Sequence, residues 1–193
     1  MRKLLFFSNN RNKIIEIKKI FKKFNFKVLS LSDVKISKEP EEIGQTFEEN
    51  AKIKSDYGFN KTGIPCFADD SGICIESLNW KPGILSKNFL NNFESNNVCF
   101  KNIIKSVQKN GKKNAYFKTS ISLTIGNDQN IIFNGKIDGT ISKQIKGAFG
   151  FGYDPIFIPK YYKKTLAELS TLEKNKISHR SIAVTKLINF LSN

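Results

Sequence analysis

Hydrophobic positions alternate or recur at helical spacing along almost the whole chain, and they divide it into strands and helices. Lys3-Leu4-Leu5-Phe6-Phe7 predicts a short first strand, and Ser8 to Asn12 is turn chemistry. The apolar spacing from Lys13 to Phe21 predicts a helix, and Phe26-Lys27-Val28-Leu29 a second strand. Pro40-Glu41-Glu42-Ile43-Gly44 reads as a loop. Thr46 and Glu49 match a capping box, which opens a helix running towards Tyr57. Gly63 and Pro65 close that connection, and an apolar strand then ends in Asp69-Asp70. Beyond Gly72 the pattern alternates again through Cys74 and Ile75, and Pro82-Gly83 marks a turn. Asn97 to Lys109 predicts a helix. Ala115 to Ile125 and Ile131 to Ile141 predict a hairpin around Gly126-Asn127-Asp128. A glycine-rich loop, Gly147 to Pro155, interrupts the sheet before Ile156-Phe157-Ile158. The chain closes on an amphipathic helix carrying Ile182, Ala183, Leu187, Ile188 and Leu191. With no internal repeat and no linker, the mixture is α/β or α+β.

Composition narrows the class. A chain of 193 residues suits one domain or two tightly joined lobes. No apolar run approaches the roughly 20 residues that span a bilayer, and polar Ser8-Asn9-Asn10-Arg11 ends the first apolar stretch early. The cytoplasm is the expected location, and no membrane partner is expected. Cys66, Cys74 and Cys99 lack metal-ligand spacing, and His179 is the only histidine, so the cysteines read as reduced core residues rather than zinc ligands. The net charge of +15 invites a nucleic-acid partner. Its lysines, however, are scattered from Lys18 to Lys164 without a dominant basic tail, which fits a solvated basic surface better. No nucleic-acid partner is expected, although a small phosphorylated ligand would gain from the same field.

Four segments carry candidate chemistry. Ser8-Asn9-Asn10-Arg11-Asn12-Lys13 joins a strand to a helix, where free backbone N–H groups form an anion site and Lys13 adds a charge. It lacks the glycines of a Walker loop. Asp69-Asp70 and Glu41-Glu42 are acidic pairs in a basic chain. The first either binds a cation or caps a helix; the second is either a solvated loop or a source of ligands for a hard cation such as Mg²⁺. Phe149 to Asp154 combines aromatic faces with flexible backbone and one acid, which suits either a planar base or a plug in the core. Ser178-His179-Arg180 precedes the last helix, with Lys174 just upstream, and there the lone histidine is either structural or a ligand contact.

Taken in order, Ser8-x-Asn10-x-x-Lys13-x-x-Glu16, Thr46-Phe47-Glu48-Glu49-Asn50-Ala51, Ala68-Asp69-Asp70-Ser71-Gly72, Pro82-Gly83-Ile84, Gly150-Phe151-Gly152-Tyr153-Asp154-Pro155 and Ser178-His179-Arg180 resemble the inosine/xanthosine triphosphate pyrophosphatase family. The resemblance runs from Ser8 to the last helix. It implies one nucleoside triphosphate pyrophosphatase domain over residues 1–193, with an elongated mixed sheet flanked by helices, two lobes, a central cleft and a homodimer. It further implies Mg²⁺-dependent cleavage of ITP, dITP and XTP, non-standard purine nucleotides, to the monophosphate and pyrophosphate. By motif, Asp70 would be the catalytic base and a metal ligand, with Glu41 and Glu42 helping to hold the metal. Ser8, Asn9, Asn10, Arg11, Asn12, Lys13 and Lys54 would bind the triphosphate. Ser71, Phe151, Gly152, Tyr153, Asp154, Lys174, His179 and Arg180 would hold the remainder of the nucleotide and its base.

Two departures stand out. Ser86-Lys87-Asn88-Phe89 follows the Pro-Gly-Ile turn where the family often has Ser-Ala-Arg-Tyr, and Asn9 stands where glycine is common. The alternative within this chemistry is a related pyrophosphatase of the septum-formation inhibitor type, acting on modified pyrimidine or methylated nucleotides.

Overall fold

In the computed structural model, which describes residues 2–127 and 129–192, the chain runs β1 (Arg2–Phe6), α1 (Arg11–Phe21), β2 (Phe26–Leu29), α2 (Phe47–Thr62), β3 (Cys66–Ile75), β4 (Lys81–Pro82) and α3 (Ser86–Asn91). It continues through α4 (Asn96–Asn110), β5 (Asn114–Gly126), β6 (Gln129–Ile141), β7 (Phe157–Pro159), α5 (Thr171–Ile177) and α6 (His179–Ser192). The fold is a mixed α/β one. Its sheet has the order β2-β1-β3-β5-β6-β7, with β4 paired to β3. β1 is parallel to both β2 and β3, whereas β3–β4 and β6–β7 are antiparallel. Asp128, placed by the sequence in the hairpin turn, lies outside the described residues. No helix among the described residues is long and apolar enough to cross a membrane.

The chain forms two compact units. The first comprises Met1–Asp70, Thr119–Gly135 and Ser181–Asn193; the second comprises Ser71–Lys118 and Lys136–Arg180. In the first unit the two-residue period of a strand decides the packing. Leu4, Phe6 and Phe67 join Ile17 and Phe21 of α1 and Ala183, Val184, Leu187 and Ile188 of α6 in one core. Leu5, Phe7, Cys66 and Ala68 point the other way, into a core that Tyr57 and Phe59 of α2 also enter. The register Leu5↔Cys66 and Phe6↔Phe67 keeps both sets aligned, and the Phe6 and Phe67 rings stack at 4.9 Å. The second unit packs Cys99, Phe100, Ile103 and Ile104, the apolar stripe of α4, against Ile73, Ile75, Phe117, Ile156 and Phe157. All three cysteines are free and buried.

One expectation is corrected. β3 does not end at the acid pair but continues for ten residues through Asp69, Asp70 and Gly72. Lysines from two helices neutralise the carboxylates, so the strand continues through them. Helix α2 runs on to Thr62, and Gly63 at φ 65 supplies its left-handed cap. Helices α3 and α5 are too short to show an apolar period, although Ser170 and Glu173 form a capping box ahead of α5.

The Thr46–Glu49 capping box is present as the sequence predicts, Thr46 Oγ1 accepting from Glu49 N–H at 3.1 Å. Thr46→Ala is expected to lower stability by roughly 1 kcal/mol, read as a shifted urea midpoint at unchanged slope.

Candidate active site

Because neighbouring strand residues face opposite sides, β3 delivers one carboxylate to each face of the sheet. Asp69 shares the side of Phe67 and meets α1: its Oδ2 lies 3.0 Å from Lys13 Nζ, and its side chain is wholly buried. Asp70 shares the side of Ala68 and meets α2. Lys54 Nζ stands 3.9 Å from Asp70 Oδ1 and donates to Glu42 Oε1 at 2.7 Å. Asn50, one helical turn before Lys54, places its Nδ2 at 3.5 Å from Asp70 Oδ2 and accepts the Gly44 N–H at 2.8 Å. The acid pair caps none of the helices α1, α2, α4 and α5, whose N-caps are Asn10, Thr46, Ser95 and Ser170.

Burial is the largest influence on Asp70 and raises its pKa; Lys54 and Lys13 oppose it, while Glu42 and Asp69 reinforce it, leaving the group at about 6. Lys54 is held above its ordinary value, since Asp70, Glu42 and Asp69 together outweigh the burial that works against its charge. The ammonium therefore stays charged between two carboxylates.

The turn ahead of α1 differs from the expected row of free amides. Asn10 Oδ1 accepts the N–H groups of Asn12 and Lys13 at 3.1 and 3.2 Å, and Ser8 Oγ accepts that of Asn10 at 3.2 Å. The N–H of Asn9 donates to Glu39 Oε1 at 3.0 Å. Asn9, Asn10, Arg11 and Asn12 are exposed, and so is Glu41, whereas Ser8 is buried. A carboxylate on one of these amides marks the turn as anion-accepting even so.

In the second unit, Arg180 at the start of α6 donates to Ser71 Oγ at 2.9 Å and lies 5.5 Å from the Phe151 ring centroid. Lys174 Nζ lies 4.6 Å from the same ring and 2.6 Å from Asp154 Oδ2. Asp154 Oδ2 also accepts the Phe151 N–H at 2.8 Å, so this oxygen holds the loop. Gly150 is required there: its φ is +78, and a Cβ would fall 2.1 Å from Asp154 Oδ2. Gly152 is half-buried in the same loop. Tyr153 leaves the loop for the core and donates its hydroxyl to Ser86 O at 2.8 Å. His179 is buried and stacks on Phe117 with ring centroids 4.6 Å apart, inclined by 6°. Gly72 follows from close packing too, since a Cβ would lie 2.1 Å from Gly83 O.

The structure thus gathers Lys13, Glu42, Lys54, Asp69 and Asp70 in the first unit and Ser71, Phe151, Asp154, Lys174 and Arg180 in the second. Glu39 joins these groups without having stood out in the sequence, and Asn50 and Ser86 join them from motifs in which neither was given a role. The signal for Asn50 is its spacing of four from Lys54 within the capped helix. Among the described residues no group of three or more His, Cys, Asp or Glu is arranged to hold a metal. Glu42 and Asp70 converge on one ammonium, the arrangement of a site that holds a cation with two protein carboxylates. Hard divalent ions are commonly held by one or two carboxylates, completing their sphere with water and phosphate oxygen, so this donor set fits such an ion.

The model of the Ham1 family matches residues 4–190. The dITP/XTP pyrophosphatase of Christiangramia forsetii is 40% identical over 190 residues, covering 98% of this chain and 99% of that protein. That of Flavobacterium psychrophilum is 41% identical over 190 residues, with the same coverage of 98% and 99%. Among solved structures, a Ham1 protein from Coxiella burnetii superposes with a TM-score of 0.89 at 31% identity, over 100% of this chain and 99% of that one.

Proposed function

The chain belongs to the Ham1 family, and we propose that it hydrolyses the non-standard purine triphosphates dITP, XTP and ITP to the monophosphate and pyrophosphate. The observation that carries the reading is Asp70: a buried carboxylate with a pKa raised to about 6, between Lys54 and Asn50 and beside Glu42. Such a group is ionised at neutral pH yet basic enough to take a proton from water. Attack on a phosphoanhydride needs positioning and charge neutralisation more than an unusual nucleophile.

Asp70 takes the proton of the attacking water. Lys54 spans Glu42 and Asp70 and presents its charge to the phosphates, while Lys13 and the Ser8–Asn12 turn bind them. Entry of a triphosphate displaces Glu39 from the Asn9 N–H. Asp70 and Glu42, with Glu41 adjacent in the loop, would hold Mg²⁺ in place of the Lys54 ammonium, and the ion would supply neutralisation of the phosphate oxygens. In the second unit, the Phe151 ring with Lys174 and Arg180 against it receives the base, and Ser71 contacts the substrate. A 6-oxo purine satisfies donors that an adenine amino group leaves unpaired. The protein acts as a homodimer in the cytoplasm, as the family resemblance implies. The family match also turns the choice between the two pyrophosphatase readings towards this one.

The test is a panel of turnover rates. dITP, XTP and ITP are expected to exceed ATP and GTP by on the order of 10²-fold or more in kcat/KM. Equal turnover of all five would overturn the specificity.

Activity also follows the Asp70 carboxyl. kcat/KM is expected to rise tenfold per pH unit below about 6 and to level off above it. Stability runs the other way. The folded pKa lies above the ordinary 3.8, so the Asp70 contribution is fully present below that value and is lost as pH rises through about 6. A profile flat from pH 5 to 8 in a rate-limiting chemical step would contradict the assignment.

A further inference from the structure

The second unit has a cavity of about 610 Å³ whose walls include Trp80, Tyr116, Lys136, Asp138, Thr140 and Lys160, none of them used in the chemistry above. One wall is aromatic. Trp80, the single tryptophan of the chain, stacks at a tilt of 33° on Tyr116 with centroids 5.5 Å apart, yet remains 46% exposed. The rim is cationic. Lys136 Nζ sits 4.4 Å from the Tyr116 centroid and 2.8 Å from Asp138 Oδ1, and Lys160 Nζ lies 5.0 Å from the ring of Tyr161.

The backbone of the wall residue Trp80 is unusual, with φ +63 directly after Asn79 at +52; Tyr161, next in sequence to the wall residue Lys160 and 92% exposed, has φ +70. This region favours glycine, and asparagine tolerates it, but a bulky aromatic there is an outlier. Neither ring recovers the strain by full burial. A large aromatic such as Trp80, held half in water at a strained backbone, is better explained by a surface it serves than by the core. A cavity of this size is also within the range that takes small ligands.

We propose that this cavity is a second binding site, for one base-plus-phosphate unit, with the base stacked on Trp80 and the phosphate held by Lys136 and Lys160. Stacking on an exposed indole tolerates any base, and lysines act as point charges on phosphate. Asp138 neutralises part of the field of Lys136, which matches the pair of lysines to a monophosphate rather than a triphosphate. The unit is a free nucleoside monophosphate or one nucleotide of a single strand, since the two present the same chemistry. Binding here is independent of the hydrolysis proposed above.

The lone tryptophan makes the site directly readable. Uridine monophosphate and an oligouridylate are each titrated into the protein while its intrinsic fluorescence is followed, and free N-acetyltryptophanamide is titrated in parallel. Saturable quenching stronger than that of the free indole is expected, weakened about tenfold or more in the Lys136→Ala/Lys160→Ala double variant, with dITP turnover unchanged. Trp80→Gly suits the backbone and so is expected to fold; calorimetric titration of that variant should show the binding lost. Tighter, steeply salt-dependent binding of the oligomer identifies a single strand as the source, and equal affinity per unit identifies the free nucleotide. Quenching no stronger than that of N-acetyltryptophanamide would overturn the proposal. So would wild-type affinity in the double lysine variant, which would place the nucleotide elsewhere, or in Trp80→Gly.

Discussion

Asp70→Asn is expected to cut turnover by about 10²–10⁴-fold and, at the same time, to make the protein more stable at pH 7. The loss follows from removing the basic atom that β3 presents to Lys54 and Asn50 on the α2 side of the sheet. The gain follows from electrostatics. A carboxyl whose pKa is raised to about 6, chiefly by burial, is worth less ionised in the folded protein than in the unfolded chain. An amide of the same shape carries no charge to desolvate, so stability should rise by roughly 1–3 kcal/mol. The difference should shrink as pH falls through about 6 and vanish well below 3.8, where the carboxyl is protonated in the folded protein and the unfolded chain alike. Kinetics at pH 7 and urea unfolding at about pH 3 and pH 7 check both halves. A variant of unchanged turnover, or one destabilised at pH 7, would remove Asp70 from the role assigned to it.

Asp154→Ala is expected to have the largest effect on stability. Asp154 and Lys174 form a pair 2.6 Å apart with side chains only 3% and 5% exposed, and the same carboxylate accepts the Phe151 N–H at 2.8 Å. Removing it strands a buried ammonium and a backbone donor together. Breaking such a pair from one side costs about 3–5 kcal/mol, most of it the uncompensated charge. The consequence reaches function through the loop, because Phe151 is held over Lys174 and Arg180 by that N–H bond. Asp154→Ala/Lys174→Met removes the charge as well and should recover much of the stability without recovering the loop geometry. Chemical denaturation of the single and double variants separates the two contributions. A single variant within about 1 kcal/mol of the wild type would show the pair to be less desolvated than its burial implies.

Most of the fold follows from local signals: the capping box before α2, the long alternating strands of the hairpin and the apolar stripe of α6 are all legible in the chain. The acid pair is legible as an anomaly, but its consequence is not. Sequence adjacency makes Asp69 and Asp70 look like one knot, whereas the pleat sends them to opposite faces, one to Lys13 and the other to Lys54. Helix α2 hides its partners because its buried stripe contains Asn50, Lys54, Ser55 and Gly58, and an apolar period does not detect a polar buried face. The free amides expected before α1 are filled by Asn10 itself and by Glu39, a residue thirty positions downstream of Asn9. Tyr153 groups with the loop aromatics in the sequence, yet its hydroxyl finds Ser86 O and the ring gains more from the core. In each instance the missing information is which side chains three-dimensional packing brings opposite one another.

The measurement that bears most directly on the central claim is the product analysis of dITP incubated with the full-length protein. Cleavage driven by Asp70 should yield dIMP and pyrophosphate in a one-to-one ratio, with Asp70→Asn producing neither at a comparable rate. Release of inorganic phosphate with dIDP, or no consumption of dITP by the folded protein, would contradict it.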